Sequence, residues 1–524
     1  MSTQSSRESR ISSLPEHMQE LLRQRLTGRA PKNTGIPRAS REGDIPASFA
    51  QQRLWFIDEF QPGGVEYNTG LALRITGPLD ADALRQAVAD VVRRHESLRT
   101  TFGEVDGRAI QIVHDSMEVP VVHVDLSSAT ETVGEDDVVD GHTAAPARTA
   151  DELLRERLLE PFDLRTGPLF RVLLARLGPQ EHILLLSMHH IVSDGWSLGV
   201  LTREVGAAYT AALNGERAEL PLLPVQYADY AVWQRERVRD GAQDDEQLEF
   251  WRNKLAGVEV LELPTDRPRP AVRSSAGALH RFEVPHDVVS ALRELGRARD
   301  ASLFVELTAL TQMLLAYYSG QDDIALGTVT SGRERPELEG LIGFFVNTLV
   351  LRGRVDRSLG FDEFLASVRA TVLEAFDHRD VPFDRVVEAV APERDPSRMP
   401  LVQAVLVLQN APAPEIVLPG ARVEPVDVTR DALPFDLTFE FSEQGEGLVG
   451  AIEYNTDLFD AATAERMAAH WLNLAREAVT APSQRLADIS ALGEGERALV
   501  VDEWSGVVGT ASGRSVVEVF AERV

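Results

Sequence analysis

Two adjacent histidines, His189 and His190, stand in the run MHHIVSDGWS at 188–197, followed by Asp194 and Gly195. An imidazole titrates near ~6.5, so around neutral pH it accepts or donates a proton with little penalty. Along a strand, neighbouring side chains point to opposite faces, so only one of the pair can look into a given cleft while strand geometry lasts. One histidine is then open to chemistry and the other is structural. Asp194 can bind backbone N–H groups or a buried cation. Gly195 is expected to permit a turn that a β-carbon would hinder. The helix after it offers unpaired N–H groups and the positive end of a dipole. Taken alone, the pair reads as a satisfied core pair more often than as a catalytic one. Metal binding is the weaker rival, because the chain has no cysteine and no carboxylate sits at zinc-protease spacing.

The elements around the pair are legible. The unbroken apolar run at 183–186 predicts a strand buried on both faces. Leu198, Leu201, Val205, Ala208 and Ala212 recur at helical spacing after it. The histidines therefore sit where a buried strand ends, a place from which a rigid scaffold can present reactive groups. Elsewhere in the first half, strands are expected at 67–76, 109–113, 119–124 and 169–177, and helices at 81–95, 151–159 and 243–255. A Pro/Arg/Ser-rich connector, LPTDRPRPAVRSSA at 263–276, separates a second half of similar make-up. There, strands are expected at 279–284, 323–330, 402–409 and 423–428, with a hairpin over 435–459 turning at 444–447. Helices are expected at 286–298, 303–318, 361–376 and 461–479. The second half holds no HHxxxDG. Periodicity alone places the chain in the mixed α/β (α+β) class.

Composition narrows the function. The formal charge of the 524 residues is −29, from 53 Lys+Arg against 82 Asp+Glu, which argues against general nucleic-acid binding. The absence of cysteine excludes disulfides, thiolate catalysis and Cys-ligated metals, and suits a reducing cytoplasm. The N-terminus lacks the apolar core of a signal peptide, and no apolar run approaches the ~20 residues of a membrane span. Residues 1–13 read as disordered. Residues 14–26 read as a short amphipathic helix through Leu14, Met18, Leu21, Leu22 and Leu26. Residues 127–150, with Glu135, Asp136 and Asp137 in a row, read as an acidic surface insertion.

The stretch from His189 to Gly195 fits the HHxxxDG signature of condensation domains of nonribosomal peptide synthetases, within the chloramphenicol-acetyltransferase-like superfamily. Six further segments resemble that family's motifs in order: SFAQQRLW at 48–55, RHESLRTTF at 94–102, LPVQYADYAVWQ at 223–234, LIGFFVNTLVL at 341–351, HRDVPFDRVVE at 378–388 and RDPSRMPL at 394–401. The resemblance spans about 48–479. It implies two acetyltransferase-like lobes in a V-shaped pseudo-dimer with a central tunnel. The expected division is a leader and linker at 1–44 with a possible docking segment, lobes at 45–262 and 277–481 around the connector, and a linker with the start of an adenylation domain at 482–524.

The implied reaction is amide formation between two thioesters. Both are carried on phosphopantetheine arms of donor and acceptor carrier proteins, and no cofactor is bound to this chain itself. His190 is the residue expected to face the reaction, as general base or as a positioning group. The Gly195 N–H is a candidate oxyanion donor. His189 and Asp194 are expected to be structural, with Arg333 as the partner of Asp194 across the fold. Ser193 leans towards the subtype joining an L-donor to an L-acceptor. A starter subtype with a fatty acyl donor, a non-catalytic carrier-binding platform and a stand-alone acyltransferase using coenzyme A esters are the alternatives. The resemblance implies a monomer in the cytoplasm, adjoining an adenylation domain and touching neither nucleic acid nor membrane. Tyr227, Tyr230 and Trp233 read as packing residues, His95 as a helix-end structural histidine, and Glu96 and Arg99 as ion-pair formers.

Overall fold

The computed structural model describes residues 35–127, 149–240, 242–390, 395–409, 415–428, 431–504 and 515–521. The expected helix at 14–26 and nearly all of the acidic insertion lie outside the described residues, as does much of 502–524. The first half runs β1 (Ile45–Pro46), α1 (Phe49–Phe60), β2 (Asn68–Thr76), α2 (Ala81–Arg94), β3 (Thr100–Val105), β4 (Arg108–Val113), β5 (Val121–Asp125), α3 (Ala150–Leu158), β6 (Phe170–Gly178), β7 (Glu181–His189), α4 (Gly195–Leu213), α5 (Tyr227–Asp240) and α6 (Ala242–Leu255). The second half runs β8 (Gly277–Val284), α7 (His286–Ala298), α8 (Leu303–Ser319), β9 (Asp323–Thr330), β10 (Asn347–Arg354), α9 (Phe361–Asp377), α10 (Phe383–Val390), β11 (Ala404–Gln409), β12 (Arg422–Val426), β13 (Leu437–Gln444), β14 (Gly447–Asn455) and α11 (Ala461–Thr480). Strands β1, β3 and β10 have no counterpart in the expected set. The latter two overlap the motif-like segments RHESLRTTF and LIGFFVNTLVL.

The strands form a five-stranded sheet ordered β12-β2-β7-β6-β5, a six-stranded sheet ordered β10-β9-β11-β13-β14-β8, and a three-stranded strip β1-β4-β3. Strand β7 shows why its sequence is an unbroken apolar run. Leu184, Leu186 and Met188 enter one core, together with residues of α2 and α4. Ile183 and Leu185 enter a second core on the opposite face, with Leu153 and Leu154 of α3. A sheet covered on both sides has no polar face to alternate with.

Strand β12 lies in the second half of the chain yet pairs antiparallel with β2, from Arg422 opposite Thr76 to Val426 opposite Ala72. The lobe expected at 277–481 therefore gives one strand to the sheet of the other lobe. Ile416 and Leu418, just before it, are buried in the core under α4. The exchange covers the edge of β2, whose N–H and C=O groups would otherwise be left for other chains.

The two large sheets share a wiring. In the first, β5 runs parallel to β6, β6 and β7 form an antiparallel hairpin, and β7 pairs antiparallel with β2. In the second, β11 runs parallel to β13, β13 and β14 form an antiparallel hairpin, and β14 pairs antiparallel with β8. Each hairpin leads into a long helix, α4 with 19 residues and α11 with 20.

Candidate active site

Strand β7 ends at His189, and a single 3-10 turn of residues 190–192 leads to α4. His189 is 4% exposed, and its Nδ1 accepts the N–H of Ile191 at 3.1 Å. Its ring lies 6.1 Å from that of Phe162, edge to face. Burial, with the neighbouring His190 adding to it, pushes its pKa down to about 3. At neutral pH it is an uncharged core group. His190 has left the strand. Its N–H donates to the carbonyl of Tyr67 at 2.8 Å, its side chain is half-buried, and its ring packs 5.2 Å from that of Phe344. Nδ1 lies 2.7 Å from the carbonyl oxygen of Ser193. A carbonyl only accepts, so Nδ1 carries the proton and, in the neutral ring, Nε2 carries the lone pair.

Asp194 caps α4 and is 1% exposed. Oδ1 accepts the N–H of Ser197 at 2.8 Å and lies 2.7 Å from its Oγ. Oδ2 accepts the N–H of Phe345 at 3.1 Å. Arg333 Nη2 donates to both carboxylate oxygens, at 3.0 and 3.2 Å. Its Nη1 donates to the carbonyls of Leu338 and Leu341 at 2.7 and 2.8 Å, and its guanidinium lies 4.1 Å over the ring of Phe345. A buried charge pair is tolerable when further hydrogen bonds offset its desolvation; here both Nη groups of Arg333 are engaged, while its Nε is buried without a partner. Gly332, immediately before it, has φ +62°, and a Cβ there would stand 2.1 Å from the Phe345 carbonyl oxygen. Only glycine lets the chain turn there and place Arg333.

Gly195 departs from expectation. It is the first residue of α4, its φ is not positive, and a Cβ would meet no atom within 4 Å. The turn does not need glycine, because helical φ/ψ suits any residue. The missing side chain instead leaves open space beside an exposed helix start, where N–H groups have no intrahelical partner.

The segment 341–345 of the second half carries Phe344 to His190, and first-half residues grip its backbone. The Ile342 N–H donates to Nδ1 of His95 at 3.4 Å, and Ser97 Oγ donates to the Ile342 carbonyl at 2.7 Å. Ser197 Oγ accepts the Gly343 N–H at 3.1 Å, and Asp194 takes that of Phe345. The Tyr227 hydroxyl donates to the Phe344 carbonyl and in turn accepts from Ser48 Oγ at 2.8 Å. Burial, with Tyr230 nearby, pushes the Tyr227 pKa well above its ordinary value, so the donated proton stays in place. A Cβ on Gly343 would stand 2.0 Å from the Tyr227 ring, so glycine allows this close approach. His95 can accept at Nδ1 because its Nε2–H donates to Glu204, 2.7 Å away.

His95, Ser97, Ser197 and Tyr227 thus frame the site, although sequence reading singled out none of them for it. The signal was their place inside three of the runs already singled out, 94–102 for His95 and Ser97, 188–197 for Ser197 and 223–234 for Tyr227. Glu96 is engaged as an ion-pair former, accepting from Arg41 at 2.7 Å.

The family model described as Condensation domain matches residues 41–501. A linear gramicidin synthase polypeptide of Brevibacillus parabrevis is 42% identical over 494 residues, 94% of this chain, and the chain spans 6% of that relative's length. The X-domain from teicoplanin biosynthesis is 30% identical with a TM-score of 0.78, the match covering 87% of this chain and all of that one. The same X-domain in complex with OxyB matches over 89% of this chain, also at 30% identity and a TM-score of 0.78. No helix among the described residues is long and apolar enough to cross a membrane.

Proposed function

The chain belongs to the condensation-domain family, and from that premise we propose that it joins a donor acyl or peptidyl thioester to the amine of an aminoacyl thioester, both on phosphopantetheine arms of carrier proteins. The observation that carries this reading is the 2.7 Å contact of His190 Nδ1 with the Ser193 carbonyl oxygen, which assigns the proton to Nδ1 and the lone pair of the neutral ring to Nε2. The amine nitrogen attacks the thioester carbonyl carbon, a C–N bond forms, and charge moves to the carbonyl oxygen. Collapse breaks the C–S bond and expels thiolate. The proton shed by the ammonium passes to His190 Nε2 and on to the thiolate, so charge balances. A thioester is already activated, so His190 serves by orienting the amine as well as by moving its proton.

The exposed Gly195 N–H at the start of α4 is assigned to the oxyanion. Asp194, Arg333 and His189 are assigned to the frame. Ser193 supports an L-donor and L-acceptor, with a starter subtype using a fatty acyl donor as the alternative. The family resemblance supports a monomer in the cytoplasm beside an adenylation domain, whose start is expected within 482–524, and the cysteine-free composition suits that compartment.

A second reading, a carrier-binding platform without catalysis, is favoured by the likeness to an X-domain that forms a complex with OxyB. The intact HHxxxDG weighs against it. The two readings part when carriers loaded with donor and acceptor thioesters are mixed with the chain and followed by intact-protein mass spectrometry. Transfer of the donor mass onto the acceptor carrier is expected. Stable carrier binding with no transfer across varied substrates would establish the platform instead.

A further inference from the structure

A cavity of about 270 Å³ opens between the halves, lined by α1 and α5 on one side and by β9, β10 and the start of α10 on the other. Phe345 is part of its wall, and the adjoining Phe344 packs on His190, so the cavity backs directly onto the candidate site. Four arginines line it: Arg53, Arg237, Arg335 and Arg379. Three are neutralised within the protein. Arg237 pairs with Asp380, Arg335 with Glu337 at 3.2 Å and Arg379 with Glu334 at 3.0 Å.

Arg53 is different. Among the described residues no carboxylate pairs with it and its Nε is buried without a hydrogen-bond partner. Its guanidinium lies 5.7 Å from the Phe383 ring centroid. Of the carboxylates on the cavity wall, Asp380 and Glu334 are taken by Arg237 and Arg379 and Asp384 stands there as well; in a chain of net charge −29, Arg53 is the cavity-lining guanidinium without an ion pair among the described residues. A buried N–H left unmade is costly, and guanidinium is the side chain best shaped to hold an oxyanion through two parallel N–H bonds.

We propose that Arg53 is a binding residue for an oxyanion of the thioester substrate in this cavity. This rests on the reading that the substrates arrive on phosphopantetheine arms, and it names a group that would hold one of them. The oxyanion has two possible sources, the arm's phosphate and a side-chain carboxylate of the aminoacyl group.

Phosphorus NMR of phosphopantetheine, titrated with the whole chain, reads binding without any turnover. Broadening of the phosphate line by wild type and its loss with Arg53→Gln are expected, with Arg53→Lys intermediate and thermal melting confirming that each variant is folded. The kinetic arm compares aminoacyl-phosphopantetheine with aminoacyl-pantetheine acceptors, each with a neutral and an acidic side chain. Wild type is expected to show a KM lower by about 10–100-fold for the acceptor bearing the oxyanion, the range for a hydrogen bond to a charged group. Arg53→Gln is expected to abolish that preference. A preference that follows the acidic side chain rather than the phosphate assigns the carboxylate as the source.

Two results would overturn the proposal. One is equal binding and equal preference in wild type and Arg53→Gln. The other is tighter binding by Arg53→Gln, which would mean that the arginine obstructs the cavity. Absence of condensation by wild type alongside intact, Arg53-dependent phosphate binding would instead sink the functional reading and leave this site standing.

Discussion

The strand end at His189 has a counterpart in the other lobe, at Asn455 on β14. His189 pairs in register with Asn68 and Asn455 with Gly277, the first residues of β2 and β8. His189 Nδ1 accepts the N–H two residues on, from Ile191 at 3.1 Å. Asn455 Oδ1 accepts from Asp457, also two residues on, at 2.9 Å. The next residue donates its N–H in the same way in each lobe, His190 to Tyr67 at 2.8 Å and Thr456 to Ala276 at 3.0 Å. Five residues after the strand end, Asp194 and Asp460 each occupy the N-cap of the long helix.

The backbone is thus repeated and the chemistry is not. An Asn oxygen does the structural work of the first histidine. His189, uncharged at neutral pH, is replaced there by another uncharged acceptor, whereas the second position, His190 against Thr456, changes from a half-buried imidazole to a group that cannot exchange a proton at neutral pH. The caps differ as well. Asp194 is buried with Arg333, whereas Asp460 pairs with Arg267 in solvent, the two side chains 53% and 48% exposed, and makes no cap hydrogen bond.

Asp194→Ala tests that contrast with the largest expected effect. It strands Arg333 in the core and should cost about 3–5 kcal/mol, the usual penalty for unpairing a buried charge. Asp460→Ala, which removes only a solvent-exposed pair, should cost at most about 1 kcal/mol. Urea melts of the two variants decide it, and similar losses would remove the distinction between the caps.

His189 sharpens the contrast through pH. Its folded pKa of about 3 lies below the unfolded value near ~6.5. Below the unfolded value, the unfolded chain binds a proton that the folded chain refuses. Stability is therefore intact above that value and falls as the pH drops towards 3, by roughly 1.4 kcal/mol per unit. His189→Asn, which copies the residue at Asn455, should keep condensation activity and flatten the acid limb of the stability curve by that slope. A variant that folds but loses turnover would show that His189 does more than hold the backbone.

Tyr227→Phe should give a smaller effect. It leaves the Phe344 carbonyl without its buried donor at a cost of about 1–3 kcal/mol. With segment 341–345 loosened, kcat should fall while the KM for the carrier holds. Steady-state kinetics with the carrier concentration varied separates the two.

Much of this site is legible in the residues alone. The buried run at 183–186 and the corner after it mark a strand end by composition, and the family resemblance supplied Arg333 as the partner of Asp194. The sheet exchange by β12 could not be read, because local periodicity identifies a strand but not the neighbour it pairs with. The grip on segment 341–345 was hidden for a related reason. LIGFF is an apolar string, and the groups that fix it are its backbone N–H and C=O, which every sequence possesses. Tyr227 and His95 were read as packing and structural residues, and each is buried, but their polar atoms reach across to the other lobe. Gly195 misled in the opposite direction, since glycine before a helix suggests a strained turn and here marks open space.

The most direct test of the central claim is single-turnover condensation, with both carriers preloaded, across pH for wild type, His190→Ala and His190→Gln. Wild-type rates should fall at acid pH as Nε2 is protonated. Both variants should be slower by about 10²–10⁴-fold, the range for loss of a positioned acid–base group, and should lose that acid limb. Rates within a few-fold of wild type and an unchanged pH profile would contradict the account, and would place the chemistry of this strand end somewhere other than His190.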